Sequence, residues 1–273
     1  MSVPSLLLNN GHSIPQIGFG VWQVPDDQAA DAVLAAFEAG YRHVDTAALY
    51  ENERGVGEAI ARSGLDRDDL FITTKVWPTE YGFDDTLRSA DTSMSKLGLD
   101  TLDLLLLHWQ APADGRFGEA WRALIQLQEE GRVRSIGVSN FHEERLRKVI
   151  SDSGVTPAIN QIELHPWLPQ QQLRDLDAVL GIVTESWSPL ASGGLVDDPS
   201  LATIGAKYGK TSAQVMIRWH LQLGLVVLPK SVTPARIKEN IDVFDFELTA
   251  QDMADIGRLE NGHRTGPDPD QFL

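Results

Sequence analysis

Short, almost continuously apolar runs alternate along the chain with longer stretches in which apolar residues recur at helical spacing. The short runs have the length of buried strands, and the longer stretches have that of amphipathic helices. Because apolar strands separated by helices pair in parallel in a sheet covered on both faces, the pattern predicts an α/β fold. The eight runs that are each followed by a helical stretch lie near Gly18, His43, Phe71, Leu104, Ile136, Ile159, Ile182 and Val226.

Eight strand–helix units in 273 residues predict a closed (β/α)8 barrel, which typically takes about 250 residues. Two apolar pieces within residues 6–17 flank Asn10-Gly11, a dipeptide typical of a hairpin turn. The alternative is an open doubly wound sheet, which favours a G-x-G-x-x-G turn after its first strand. The nearest match, Gly18-Phe19-Gly20, lacks the third glycine. We therefore expect one domain over residues 1–273, a TIM barrel with an N-terminal β-hairpin.

Composition excludes several classes of protein. The chain carries 39 acidic and 23 basic side chains, so its formal net charge is −16. Nucleic acid is not an expected partner, because phosphate contacts need a basic face. No cysteine is present, which excludes disulfides and thiolate metal sites. No apolar run approaches the roughly 20 residues of a membrane span, and the N-terminus lacks the features of a signal peptide. We expect no membrane partner and a cytoplasmic location.

Three consecutive predicted strands end in a titratable side chain: Asp45, Lys75 and His108 close strands two, three and four. Taken singly, each has an ordinary explanation as a turn cap, a lysine that extends to solvent or a buried histidine. The carboxyl ends of barrel strands, however, form the mouth at which barrel enzymes carry their active sites. The joint placement of the three residues favours an active site there.

Tyr50, in the loop after the second strand, completes this set. A phenol has an ordinary pKa near 10 and needs a neighbouring cation to lower that pKa before it transfers protons readily. We expect Lys75 to supply the cation, Asp45 to hold Lys75, and His108 to hydrogen-bond a substrate oxygen. Tyr50 then becomes a general acid or base beside a carbonyl or an alcohol.

The stretch 228–240, after the eighth strand, suits an anion. Thr233 and Pro234 are typical of an N-cap and a first helical position, and helix N-termini bind anions. Lys230 and Arg236 add positive charge, although a solvated basic helix end would explain the same residues. Phosphate sites recur after strands seven and eight of barrels. Trp187 ends strand seven, where its ring could stack on a planar cofactor or belong to the core.

The ordered motifs are GFGVWQ, GYRHVDTAALYENE, ITTKVW, LLLLHW, RSIGVSNF, NQIELHP, SWSPL and LPKSVTPARIKENIDVFDF. Through them the chain resembles the aldo-keto reductases over essentially its whole length, and it is most similar to the bacterial diketogluconate-reductase-like branch. The resemblance implies NADPH-dependent reduction of aldehydes or ketones, with no metal. It implies a catalytic tetrad of Asp45, Tyr50, Lys75 and His108, in which Tyr50 protonates the carbonyl oxygen as hydride reaches the carbon.

The resemblance also assigns the binding residues. Ser139, Asn140 and Gln161 would bind the carboxamide, and Trp187 would stack on the nicotinamide. Lys230, Ser231 and Arg236 would bind the 2′-phosphate, with Ser188 and Leu190 along the pyrophosphate and Glu239 and Asn240 at the adenine. The remaining implied cofactor contacts are Gly20, Val21, Trp22 and Val232. The implied aromatic walls of the substrate pocket are Trp22, Trp77 and Trp109.

The chain departs from the family pattern at two places. Trp187 stands where many relatives have tyrosine, and HWQ replaces the more usual HWP, so the loop from Gln110 is expected to differ. Two other functions remain open from the residues. Lys75 could act as the nucleophile of a Schiff-base lyase, or the barrel could be a non-catalytic, cofactor-sensing protein. We expect a small-molecule carbonyl substrate and a monomer.

Overall fold

The computed structural model, which describes residues 3–111, 113 and 115–272, is an eight-stranded parallel barrel preceded by a hairpin. The strands are β1 (Ser5–Leu7), β2 (Ser13–Pro15), β3 (Phe19–Gly20), β4 (His43–Asp45), β5 (Phe71–Val76), β6 (Leu102–Leu107), β7 (Val133–Ser139), β8 (Ile159–Glu163), β9 (Val183–Trp187) and β10 (Val226–Val227). The helices are α1 (Asp26–Ala39), α2 (Glu53–Ser63), α3 (Phe83–Leu97), α4 (Phe117–Glu129), α5 (Glu143–Ser153), α6 (Gln171–Leu180), α7 (Pro199–Ala206), α8 (Ser212–Gln222), α9 (Pro234–Ile241) and α10 (Ala250–Gly257).

The strands pair in chain order, from β3 beside β4 through to β9 beside β10. The first and last strands meet through a parallel bridge between Ile17 and Val227. The Gly18 amide donates to the Val227 carbonyl at 2.9 Å, and the Val227 amide donates to the Gln16 carbonyl at 3.1 Å. These bonds close the sheet into a barrel. The predicted (β/α)8 fold is confirmed.

The hairpin covers the amino ends of the barrel strands. Asn10, in its turn, donates from Nδ2 to the Arg134 carbonyl at 3.1 Å and to Ser135 Oγ at 3.0 Å, near the start of β7. Ile14 is fully buried and belongs to a cluster that includes Leu104 of β6. This plug leaves the opposite end, where the carboxyl ends of the strands lie, as the open mouth.

Burial follows the hydrophobic pattern of the sequence. All six residues of β6 are buried, as a strand covered on both faces requires. On α4, Trp121, Leu124 and Leu127 form the buried face, since residues three and four apart lie on the same side of a helix. Among the described residues, no helix is long and apolar enough to cross a bilayer.

Candidate active site

The structure brings Asp45, Lys75, Tyr50 and His108 together at the carboxyl ends of β4, β5 and β6. Lys75 Nζ lies 2.6 Å from Asp45 Oδ1 and 2.9 Å from the Thr46 carbonyl oxygen, and it donates to the Tyr50 hydroxyl at 3.4 Å. The Tyr50 and His108 rings meet edge to face, with centroids 5.6 Å apart. Lys75 is fully buried, so all three of its N–H groups find acceptors inside the protein. The four side chains therefore lie together, as the positions of the strand ends predicted.

Tyr50 is a protonated phenol at neutral pH in this setting. Burial raises the pKa of its phenol, and this effect outweighs the lowering by Lys75, so the pKa lies above its ordinary value. The expectation that Lys75 brings the pKa of Tyr50 below its ordinary value is therefore wrong, because desolvation of the phenolate dominates. Burial lowers the pKa of Lys75, but its anionic neighbours, Asp45 first, raise it by more. At neutral pH a protonated phenol faces an ammonium group.

His108 is a neutral imidazole. Burial, followed by the charge on Lys75, lowers its pKa well below the ordinary value. Its Nδ1 is buried and has no hydrogen-bond partner among the described residues. The other ring nitrogen, Nε2, is left to give or accept one hydrogen bond, and the neutral imidazole adds no second positive charge beside Lys75.

A second buried carboxyl group, that of Glu185 on β9, shares a hydrogen-bond donor with Asp45. Gln161 of β8 donates from Nε2 both to Asp45 Oδ2, at 2.9 Å, and to Glu185 Oε2, at 2.8 Å. Glu185 is fully buried, and burial raises its pKa to about 8. Sequence reasoning missed this residue, although an acidic side chain inside the apolar run GIVTESW was a visible signal.

Ser139, Asn140 and Trp187 form a hydrogen-bonded group across the ends of β7 to β9. Ser139 Oγ donates to the Gln161 carbonyl at 2.9 Å, and Asn140 Nδ2 donates to the His108 carbonyl at 3.0 Å. Trp187 Nε1 donates to Asn140 Oδ1 at 2.8 Å, which holds the half-buried indole beside the tetrad. Three of the four predicted carboxamide and nicotinamide contacts, the fourth being Gln161, are thus assembled next to His108.

The region after β10 presents positive charge to solvent. Lys230 and Arg236 are both exposed, and α9 begins at Pro234 with Thr233 as its N-cap, as predicted. The Thr233 hydroxyl does not cap the helix, so the first N–H groups of α9 keep no side-chain acceptor there. The Thr233 amide donates instead to Ser231 Oγ at 3.1 Å, which fixes the turn. This arrangement has the donors of an anion site.

The other predicted cofactor residues differ in their exposure and in their local contacts. Glu239 is tied to α8, since its Oε1 accepts from Thr211 Oγ1 at 2.7 Å, and Asn240 is buried. Ser188 adopts a positive φ of 50°, a conformation that non-glycine residues rarely hold without surrounding constraint. The remaining predicted positions are Gly20 and Val21, which are buried, and Leu190 and Val232, which are half-buried and exposed.

Four aromatic side chains wall the space above Tyr50 and His108. The Trp22 and Tyr50 ring centroids are 4.7 Å apart, and those of Trp77 and His108 are 5.2 Å apart. Trp109, the third predicted wall, packs against Phe272, with centroids 4.5 Å apart. Phe272 lies at the far end of the chain, and sequence reasoning missed it. Aromatic rings thus lie around the Tyr50 and His108 side chains.

Gln110 connects the loop after β6 to the C-terminal tail. Its Nε2 donates to Asp270 Oδ1 at 2.6 Å, and its Oε1 accepts from the His142 amide at 3.1 Å. The other Asp270 oxygen lies 2.8 Å from His142 Nδ1. Residues 112 and 114 of this loop lie outside the described residues. The change from HWP to HWQ therefore supplies a tail anchor that proline could not.

Three comparisons with known proteins agree with one another. A family model described as the Aldo/keto reductase family matches residues 16–261. An aldo-keto reductase of Mycolicibacterium smegmatis is 55% identical over 269 residues, covering 98% of each chain. The methylglyoxal reductase DkgA of Escherichia coli is 49% identical over 278 residues, covering 100% of this chain and 99% of that protein. A crystal structure of a Gox0644 mutant in complex with NADPH superposes with a TM-score of 0.96, at 45% identity over 100% of both chains.

Proposed function

The chain belongs to the aldo-keto reductase family, and we propose that it reduces α-dicarbonyls or keto-sugars with Tyr50 as the proton donor. Its general activity is NADPH-dependent reduction of small-molecule carbonyls. One observation carries the proposed role of Tyr50: the protonated phenol lies 3.4 Å from the buried Lys75 ammonium and borders His108 at the barrel mouth. A protonated phenol beside a cation is suited to give its proton to a carbonyl oxygen.

NADPH fits the residues that the chain offers. Exposed Lys230 and Arg236, beside the start of α9, supply a positive site for the 2′-phosphate. Trp187 offers a flat ring beside the tetrad, and its N–H is held by Asn140. We propose that the other residues that the family resemblance assigns to the cofactor also contact NADPH. They are Gly20, Val21, Trp22, Ser139, Asn140, Gln161, Ser188, Leu190, Ser231, Val232, Glu239 and Asn240. When bound, NADPH supplies the hydride for the carbonyl carbon.

Each tetrad residue has one task in the proposed mechanism. Neutral His108 orients the carbonyl oxygen through a hydrogen bond, and Tyr50 gives its proton to that oxygen. The Lys75 ammonium then stabilises the phenolate that Tyr50 becomes, a charge that develops only as the proton leaves. Asp45 holds Lys75 charged and in place at 2.6 Å. The ion pair also disfavours a Schiff-base lyase, because a protonated lysine is a poor nucleophile.

The substrate class rests on the pocket and on one relative. Trp22, Trp77, Trp109 and Phe272 place aromatic rings around Tyr50 and His108, and apolar walls with few polar groups suit small organic substrates. DkgA, at 49% identity, is named a methylglyoxal reductase. We further propose that residues 1–273 form a single domain that acts as a monomer in the cytoplasm.

The function is tested by following the near-ultraviolet absorbance of NADPH with a panel of aldehydes, α-dicarbonyls and keto-sugars. Consumption of NADPH that depends on the carbonyl supports the proposal, and the preferred compounds define the substrate class. Tight NADPH binding without consumption by any compound would instead favour the cofactor-sensing role.

Replacement of Arg236 by alanine is expected to raise the Kd of NADPH by about 10- to 100-fold and to leave the Kd of NADH within about two-fold. A charged hydrogen-bond partner of a phosphate contributes roughly 1.5–3 kcal/mol, and NADH lacks the 2′-phosphate. Quenching of tryptophan fluorescence measures both constants.

Lys238→Ala is the matched control for this prediction. Lys238 is an exposed basic residue of the same helix, two positions beyond Arg236 and hence on another side of α9. Its removal changes the net charge equally but should leave the preference for NADPH intact. Equal losses of NADPH and NADH affinity in Arg236→Ala would show that Arg236 does not read the phosphate.

A further inference from the structure

The side-chain amide of Gln161 donates hydrogen bonds to two carboxyl groups on different strands. Its single Nε2 atom lies 2.9 Å from Asp45 Oδ2, on β4, and 2.8 Å from Glu185 Oε2, on β9. A nitrogen must occupy this position, since an amide oxygen there would face the Asp45 carboxylate oxygen. The two contacts use both hydrogens of the amide, and no described residue donates a hydrogen bond to its oxygen, Oε1. Gln161 is therefore oriented as an acceptor.

Within the described part of the chain, Gln161 is the one hydrogen-bond partner of the Glu185 carboxyl group. Glu185 makes no hydrogen bond or ion pair with Tyr50 or Lys75 there, and its Oε1 is buried without a hydrogen-bond partner. The nearest titratable group on that side is His43 of β4, whose Nε2 lies 3.8 Å away. Burial lowers the pKa of His43 to about 3, so the imidazole is neutral and offers no compensating charge. A carboxyl with an unpaired buried oxygen favours its protonated form, with Oε2 left as the acceptor.

The surroundings leave the Glu185 side chain little freedom to move. His43 Nε2 lies 3.1 Å from Thr73 Oγ1. Behind the imidazole, a Cβ added to Gly18 would come within 2.5 Å of His43 Nδ1, so only glycine fits there. Glu185 also pairs in register with Gln161 on one side and with Val226 on the other. The Glu185 backbone is thus fixed beside that of Gln161, and its side chain is enclosed in the barrel interior.

We propose that Glu185 is a positioning residue, whose carboxyl group fixes the Gln161 amide so that its oxygen accepts a hydrogen bond from the cofactor carboxamide. This inference rests on the proposed function, because it needs a nicotinamide at the site. Asp45 alone supplies one anchor and leaves the amide free to swing about it. Glu185 supplies the second anchor and sets the direction of Oε1.

The test compares binding of NADP⁺ with that of its 3-acetylpyridine analogue, which lacks only the carboxamide N–H donors. The wild-type protein is expected to bind NADP⁺ about ten-fold more tightly, because the analogue leaves the Gln161 oxygen unpaired. In Glu185→Met, which keeps the side-chain length but has no oxygen acceptor, this ratio should fall to about two-fold. Fluorescence quenching gives each Kd without turnover.

Two further variants distinguish loss of the acceptor oxygen from misfolding of a single variant. Glu185→Thr, whose hydroxyl is too short to reach Gln161, should lower the ratio as Glu185→Met does. Glu185→Gln, whose amide oxygen can still accept from Gln161, should retain it. Asp177→Asn is the matched control: Asp177 is a fully buried carboxyl whose partners are Thr184 and Asn160, away from the tetrad, and its ratio should equal that of the wild type.

The outcomes separate this inference from the proposed function. A wild-type ratio that persists in folded Glu185→Met and Glu185→Thr would overturn the role of Glu185 and leave the reductase assignment standing. A fall of the affinity ratio in Glu185→Gln would also overturn the role of Glu185, because this variant keeps an oxygen that accepts a hydrogen bond from Gln161. Failure of the wild-type protein to bind NADP⁺ at all would overturn the proposed function itself.

Discussion

Replacement of Tyr50 by phenylalanine is expected to lower kcat by about 1,000-fold while the Kd of NADPH stays within about two-fold. A positioned general acid contributes on the order of 10²–10⁴ in rate, and the phenol hydrogen acts only as the carbonyl oxygen gains charge. The remaining ring keeps its contacts with Trp22 and His108, so the pocket should hold its shape. Steady-state turnover and fluorescence quenching measure the two constants on the same preparation.

Tyr41→Phe is the matched control for this substitution. The Tyr41 side chain is also buried, and its hydroxyl has no hydrogen-bond partner among the described residues. Removal of that hydroxyl should leave kcat unchanged and should not lower stability, since an unpaired buried polar group is itself unfavourable. A Tyr50→Phe enzyme with wild-type kcat would remove Tyr50 from the mechanism.

Replacement of Lys75 by methionine is expected to abolish turnover and to lower the free energy of unfolding by about 3–5 kcal/mol. Removal of one partner of a buried ion pair leaves the other charge uncompensated, which is more costly than loss of the pair as a whole. Lys75 is fully buried and Asp45 is 4% exposed, so water cannot replace the ammonium. Chemical denaturation measures the stability change.

The double variant Asp45→Asn/Lys75→Met separates stability from catalysis. It removes both charges, so most of the lost stability should return, while turnover should stay abolished because nothing stabilises the Tyr50 phenolate. Residues in direct contact give non-additive effects of this kind. If Lys75→Met alone kept the wild-type stability, the account of Asp45 and Lys75 as a tightly coupled buried pair would fail.

The convergence of the four side chains could be predicted because their positions follow from local sequence and one fold rule. Asp45, Lys75 and His108 each end an apolar run, and parallel strands in a barrel carry their carboxyl ends to one mouth. Tyr50 lies five residues beyond Asp45, in the loop that starts there. Once the strands are counted correctly, no long-range packing is needed to bring these residues together.

The rest of the site depends on contacts that sequence patterns do not record. Gln110 and Asp270 are 160 positions apart in the chain, and Phe272 of the same C-terminal tail packs against Trp109. The direction of the Tyr50 pKa shift depends on how deeply the phenol is buried, which a list of neighbouring charges does not give. The bridge from Gln161 to Glu185 likewise depends on the exact register of β8 and β9.

Transfer of deuterium is the most direct test of carbonyl reduction at this site. The protein is mixed with methylglyoxal and NADPH that carries deuterium at the transferable position, and the alcohol is analysed by mass spectrometry. We expect one deuterium on the former carbonyl carbon of each product molecule, and no such product with Tyr50→Phe on the same timescale. An alcohol without deuterium, or the same yield from Tyr50→Phe, would contradict hydride transfer with Tyr50 as the acid.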